Sequence, residues 1–292
     1  MPPSAVEIVR NLGIWSGPVQ PEPLDGGITN VNFVVRDGPR KTVVRVGRDI
    51  PVHHILRSNE IAASRAAHAA GISPEVLHHA PGVMVIAFVE GRTLTAEDMR
   101  KPEVLERAVR LVAQAHREMP RHLRGPTQAF WVFHVIRDYA ARLQAEASPH
   151  AGLMPELLAA AERLEAAVGP VEMVFGHNDL LPANFIDDGA RLWLIDWDYA
   201  GWGSPLFDLG GLAANNGLGA GAQRRMLELY FDRPCDDALQ HRFAAMKCAA
   251  ALRETLWSMV SERHSGLDFD FAAYSAANLG IFRAAYSDLL QG

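Results

Sequence analysis

Two carboxylates and an amide in this chain stand in the order that phosphoryl transfer to an alcohol needs. Asp179 lies in Gly176-His177-Asn178-Asp179-Leu180-Leu181-Pro182-Ala183-Asn184, Asn184 follows it by five residues, and Asp196 ends the apolar run Leu192-Trp193-Leu194-Ile195. Such a transfer requires a group that orients the acceptor hydroxyl and takes its proton, and cations on the phosphate oxygens. Asp179 suits the first task. Asn184 and Asp196 suit the second, as hard oxygen ligands for magnesium. The order and approximate spacing are those of a kinase catalytic loop followed by its metal-binding aspartate. Each residue alone reads equally well as an Asx-turn or a cap; the three spacings together do not. His177 is expected to fix the loop by hydrogen bonding rather than to move protons.

The flanking sequence must bring these residues together. Val171 to Phe175 reads as a short strand delivering the loop, and Pro182 bars a helix until Phe185-Ile186. Asp187-Asp188-Gly189 then turns the chain back into Arg191 to Ile195. That hairpin places Asp179, Asn184 and Asp196 at one locus.

Upstream, Leu24 to Asn32 carries paired glycines between two strands. Gly27, Thr29, Asn30 and Asn32 are candidates for a nucleotide loop whose backbone amides approach an anion. The stretch is neither a GxGxxG nor a P-loop, and a plain hairpin turn stands beside that reading. Lys41 to Val46 is a β-branched strand with one cation inside it, Arg45. Arg45 is the candidate to steady the nucleotide phosphates, with Glu60 as its partner from a helix capped by Ser58 and stopped at Gly71. The alternative leaves both as solvated surface residues.

Two apolar runs, Glu75 to His78 and Val83 to Phe88, close the small sheet. Phe88 opens the crossing whose backbone is expected to meet the nucleotide base. The lobe boundary falls near Glu90-Gly91, giving a nucleotide-binding lobe over 1–90 and a catalytic and acceptor-binding lobe over 91–292. His53-His54 and His78-His79 lack further ligands at metal spacing, so surface or capping roles are expected. From Pro102 the chain reads mainly as helix. One helix spans Glu103 to Glu118 and is stopped by Pro120, with His116 as a core histidine bonded to backbone. Ala129 to Ala147 and Pro155 to Val168 are two more.

Composition excludes several classes. The 292 residues are 49% hydrophobic and 21% charged, with net charge -6 and no basic run, so no nucleic-acid footprint is present. No apolar stretch approaches the roughly 20 residues that span a bilayer. Met1 to Glu7 lacks signal-peptide character, and Cys235 and Cys248 make no disulfide framework. A cytoplasmic protein without membrane insertion is the expectation.

His177 to Asn184, followed by Ile195-Asp196-Trp197-Asp198-Tyr199-Ala200-Gly201, resembles the choline/ethanolamine kinase family, within the aminoglycoside phosphotransferase-like group. Gly26 to Asn32 is similar to its nucleotide loop, and Phe207-Asp208-Leu209 to the motif whose aspartate braces the catalytic loop. The resemblance spans about Asp25 to Tyr286. It implies an α+β, protein-kinase-like two-lobed fold, with a small antiparallel-sheet N-lobe and a larger, mainly helical C-lobe. It also implies ATP and Mg2+ as cofactors and a small cationic alcohol, choline or ethanolamine first, as acceptor; homodimer formation stays open. Ala249 to Val260 resembles the family helix that carries pocket tryptophans, and Trp257 matches one of them. Three residues earlier, where a second aromatic is usual, this chain has Glu254, which admits a primary or secondary amino alcohol. Tyr274 matches a pocket tyrosine, and Asp198 and Tyr199 are expected to face the same cavity. Core packing is the alternative for Trp257, Phe271 and Tyr274. A phosphotransferase for an aminoglycoside, thiamine or a sugar, and a non-catalytic kinase-fold binding module, are the rival functions.

Overall fold

Strand alternation and helix periodicity divide the chain into a sheet-rich first part and a helical remainder. The computed structural model describes residues 3–24 and 30–291. Helix α1 (Ala5–Arg10) is opened by a capping box between Ser4 and Glu7. Strands β1 (Glu22–Leu24), β2 (Val31–Asp37) and β3 (Arg40–Val46) follow, then α2 (Arg57–Ala69), β4 (Val76–Ala80) and β5 (Val83–Ala87). The five strands form one antiparallel sheet in the order β1-β2-β3-β5-β4.

Side chains alternate across this sheet with period two. Phe33, Val35, Val44, Val83 and Val85 pack with Val9 and Val19 into a small core on one face. Asn32, Arg45 and Met84 lie on the other face, in register across three strands. Helix α2 stands on that side. Its Ala63, Ala66 and Ala67 join the main core, while Arg57 and Glu60, one turn earlier, are buried beside Arg45. Ser58 does not cap α2. The helix begins at Arg57, whose N–H donates to Asp49 Oδ1 at 2.8 Å.

The chain leaves the sheet through Gly91, where a Cβ would stand 2.7 Å from Ile186 Cγ2 and 2.8 Å from the Asp187 carbonyl. Only glycine lets the crossing pass so close to the catalytic hairpin. Strand β6 (Arg92–Thr93) and helix α3 (Ala96–Met99) lead to α4 (Pro102–His122), α5 (Val132–Ala145) and α6 (Met154–Val168). Helix α4 runs through Pro120 rather than stopping there. The proline falls in the last turn, where few bonds are lost, and Leu123 N–H still closes on Met119 O at 3.1 Å.

Next come β7 (Val174–Gly176), β8 (Phe185–Asp187), β9 (Leu192–Leu194), β10 (Gly201–Gly203), α7 (Pro205–Asn215), α8 (Ala220–Phe231), α9 (Asp237–His264) and α10 (Phe271–Gln291). Strands β8 and β9 form the expected hairpin, with β6 on its outer side, and β7 pairs with β10. Helix α9 lies against α5, α6, α7 and α10, so its middle is buried nearly all round instead of along one stripe. No helix of the described residues is long and apolar enough to cross a membrane.

Two histidine expectations are corrected. His53, on the turn Pro51–His53, is buried rather than on the surface, between Tyr139 OH at 3.3 Å and Ser261 Oγ at 3.2 Å. His116 is bonded to the side chains of Asp208 and Tyr230, not to backbone. In both cases the partner comes from a distant helix, which local pattern does not reveal.

Candidate active site

Strand β7 delivers His177, Asn178 and Asp179 into a loop held from below by one carboxylate. Asp208, in the first turn of α7, accepts the His177 N–H at 2.8 Å on Oδ2 and the Asn178 N–H at 2.6 Å on Oδ1. His116 Nε2 donates to Oδ2 at 2.8 Å, and His116 Nδ1 lies 2.6 Å from Tyr230 OH. Burial works to raise the Asp208 carboxyl, and the hydrogen bond and charge of His116 overcome it, holding it below the usual range.

His177 ties the loop to the hairpin. Its Nε2 donates to the Ile195 carbonyl at 2.8 Å, so Nδ1 is left to accept the Asp179 N–H at 3.2 Å. Burial lowers its pKa, consistent with a neutral ring. Asn184 Nδ2 donates to the Asp179 carbonyl at 2.9 Å, and the Asn184 carbonyl accepts Ile195 N–H at 3.0 Å. These bonds close a ring through Asp179, Asn184, Ile195 and His177, and Asp196 follows directly. Asn178 and Asp196 both take left-handed backbone, with φ of +65° and +68°. Such strain in non-glycine residues needs surrounding structure to enforce it.

Asp179 is half-buried, and its carboxylate accepts no hydrogen bond among the described residues. Burial pushes it up to about 7; Arg253 opposes the rise, while Asp196, Glu254 and Asp198 add to it.

On the sheet side, five charges interlock. Arg45 Nε lies 3.0 Å from Glu60 Oε1, an ionic contact without hydrogen-bond alignment. Arg45 Nη2 donates to Asp196 Oδ1 at 2.8 Å and Asp198 Oδ1 at 3.1 Å. Arg57 Nη1 donates to Glu60 Oε2 at 2.6 Å and to Asp198 Oδ1 at 2.7 Å. Burial raises the Glu60 carboxyl, against the pull of Arg45. Glu60, Asp196 and Asp198 each offer an oxygen within 4.8 Å of the others, a hard donor set suited to a divalent cation. Asn30 Nδ2 reaches Asp198 Oδ2 at 3.2 Å, and Asn32 sits opposite Arg45 in the sheet.

The structure redistributes several expected site residues. Gly27 and Thr29 lie outside the described residues. Asp198, expected in the acceptor cavity, belongs instead to the arginine cluster, because its carboxylate is drawn to Arg45 and Arg57. Phe88 lies under the Lys41 ammonium, 3.4 Å from the ring centre, and its N–H already donates to the Lys41 carbonyl at 3.2 Å. That amide is therefore taken by the sheet and is not free for a base. Arg57 was legible as a cation three residues before Glu60 on the same helix face. His116, Tyr230 and Arg253 carry no comparable sequence signal.

At the acceptor end, Tyr274 OH donates to Glu254 Oε1 at 3.0 Å. Trp257 is buried, donates Nε1 to Tyr199 OH at 3.0 Å, and lies 5.2 Å from the His53 ring. Its edge meets Phe271 at 6.1 Å. The structure thus brings Glu254, Trp257, Tyr199 and Tyr274 together.

A two-lobed α+β fold with this braced loop and charged hairpin is that of a protein-kinase-like phosphotransferase. The sequence matches the Phosphotransferase enzyme family (APH) over residues 21–245, and the chain belongs to it. Among its relatives within the family are proteins named ethanolamine kinase and LicA. The chain is 27% identical over 288 residues to the probable ethanolamine kinase of Arabidopsis thaliana, covering 87% of this chain and 76% of the relative. It is 26% identical over 260 residues to protein LicA of Haemophilus influenzae, covering 85% and 75%. Among solved structures, a choline/ethanolamine kinase family protein from Mesorhizobium loti superposes with a TM-score of 0.76 at 28% identity, covering 99% of this chain and 96% of that one.

Proposed function

We propose that this protein transfers the γ-phosphoryl group of ATP to the hydroxyl of a small amino alcohol, with choline and ethanolamine as the first acceptors to test. One observation carries the reading. The Asp179 carboxylate accepts no hydrogen bond among the described residues, and both Asp196 and the acceptor-side Glu254 act on its charge. A proton acceptor standing between a divalent-cation donor set and a carboxylate lined by aromatic rings fits a cationic alcohol.

Asp179 orients the acceptor hydroxyl and takes its proton as the oxygen bonds to the γ-phosphorus. The bond from that phosphorus to the β–γ bridging oxygen breaks, and ADP leaves. Asn184 and Asp196 would hold magnesium, whose charge neutralises the phosphate oxygens. Arg45, steadied by Glu60, would serve the nucleotide phosphates, and the loop with Gly27, Thr29, Asn30 and Asn32 would cover them. With the lobes divided near Glu90, the nucleotide would sit under the sheet, at the crossing that begins with Phe88. Glu254, Tyr274 and Trp257 would receive the ammonium. Two free, buried cysteines suit a reducing compartment, and the cytoplasm is the proposed location.

Asp196 is joined to Arg45 in this structure, so Asp196 would give up that ion pair in serving as a magnesium ligand. The test is ATP consumption over a panel of alcohols: choline, ethanolamine, their N-methylated intermediates, an aminoglycoside, thiamine and a hexose. Amino alcohols should dominate, with phosphorylated product recovered in step with ADP. Turnover on the aminoglycoside or hexose alone would overturn the assignment.

A further inference from the structure

A quaternary ammonium needs aromatic faces, and in this chain a guanidinium already lies against them. Arg253, the residue before Glu254 on α9, is only 6% exposed. Its Cζ stands 4.7 Å from the centre of the Tyr199 ring and 5.6 Å from that of Phe130. Those two rings meet edge to face, 6.3 Å apart at 82°, and so form two walls at right angles. The Tyr199 wall is fixed in place by the Trp257 indole N–H.

The hydrogen bonding of Arg253 is incomplete. Nη1 donates to Glu254 Oε2 at 3.1 Å, whereas Nε and Nη2 are buried with no hydrogen-bond partner among the described residues. A buried donor without a partner is unusual, and aromatic faces are what this guanidinium has in exchange. Arginine suits the place, being planar and more weakly hydrated than an ammonium.

We infer that Arg253 is a specificity-determining residue: an internal cation that fills the aromatic corner of Tyr199 and Phe130, keeps a trimethylated ammonium out of it, and directs the site to amines that carry N–H donors. The inference rests on the proposed amino-alcohol reading. Two cations do not share one aromatic corner. A quaternary ammonium has no N–H with which to reach Glu254 instead. A primary ammonium does, since the Glu254 carboxylate uses one acceptor position for Tyr274 and one for Arg253 and retains others. Glu254 and Arg253 therefore work as a pair, the first receiving N–H donors and the second excluding methyl groups.

The test compares kcat/KM for ethanolamine, N-methylethanolamine, N,N-dimethylethanolamine and choline in the wild type, Arg253→Met and Arg253→Lys. The wild type should fall at least about tenfold from ethanolamine to choline, Arg253→Lys should keep that slope, and Arg253→Met should flatten it. Choline equal to or better than ethanolamine in the wild type overturns the inference, as does an unchanged slope in a folded Arg253→Met. Titration with tetramethylammonium, read by tryptophan fluorescence, needs no turnover. Arg253→Met should bind it about tenfold more tightly than the wild type. Equal affinity overturns the inference whether or not any amino alcohol is phosphorylated. Should Arg253→Met fail to fold, the wild-type methylation series decides alone. Absence of transfer to all four amino alcohols, with turnover on another alcohol, removes the proposed function instead.

Discussion

The two ends of the site are held in different ways. At the phosphoryl end the backbone itself is pinned: the N–H groups of His177, Asn178, Asp179, Leu181 and Asn184 all have partners within the loop, the hairpin or Asp208. At the acceptor end the contacts run between side chains of distant elements, and two Arg253 nitrogens have no hydrogen-bond partner among the described residues. Partnered backbone N–H groups fix the path of the loop, and losing one acceptor strands a buried donor. A corner of aromatic and ionic side chains tolerates exchange at single positions. In the proposed function the reaction type would reside where substitution is least tolerated, and acceptor choice where it is most tolerated.

The largest expected effect comes from Asp179→Asn. Turnover should fall by about 10²–10⁴-fold, while the nucleotide dissociation constant, measured by direct titration, stays within about twofold. Equal loss of both would erase the division between chemistry and binding. Next is Asp208→Ala, which leaves the His177 and Asn178 N–H groups and His116 without their acceptor. Urea denaturation should show a loss of about 3–5 kcal/mol, with turnover falling alongside. A change under about 1 kcal/mol would mean that the loop is not held from below.

Glu254→Gln should act on the acceptor alone. The KM of the amino alcohol should rise about tenfold, with kcat and the KM for ATP within about twofold. A matching change in the ATP constant would show the two ends to be one unit.

The smallest effect concerns His53, which lies tilted against Trp257 and whose pKa is pushed down to about 3, first by burial and then by the charge of Arg253. Below its ordinary value of about 6.5 the unfolded chain takes up a proton that the folded chain refuses. Its contribution to stability is thus complete above about pH 6.5 and is lost as pH falls. Between pH 6.5 and 5.5 the wild type should lose up to about 1 kcal/mol more than His53→Gln, read from denaturation midpoints. Parallel curves would show that the ring is free to protonate.

Legibility differs between the same two ends. Asp179, Asn184 and Asp196 lie within eighteen residues, and one strand, one proline and one hairpin turn are enough to converge them. Short-range geometry needs no tertiary knowledge, so the loop and hairpin could be read directly. Arg45 and Glu60 were legible as a pair because a strand cation and a helix carboxylate recur at that separation in kinase folds. The partners of Asp198 are not legible, for the opposite reason. Its position two residues after Asp196 says nothing about which neighbour claims it, and Arg57 does so from 141 residues away in sequence.

The sequence by itself brought the candidate catalytic groups together, since they and the turns that orient them are neighbours along the chain and backbone hydrogen bonds of short span position them. It also determined that an acidic residue, Glu254, stands where an aromatic wall was expected. Only the tertiary structure decided what surrounds that residue. Arg253 meets Tyr199 and Phe130 through helix α9 packing across the domain, and Asp208 finds His116 and Tyr230 on α4 and α8. Buried charges and aromatic faces take their partners from whatever the packing brings near, and that choice is made by the whole core rather than by any one segment.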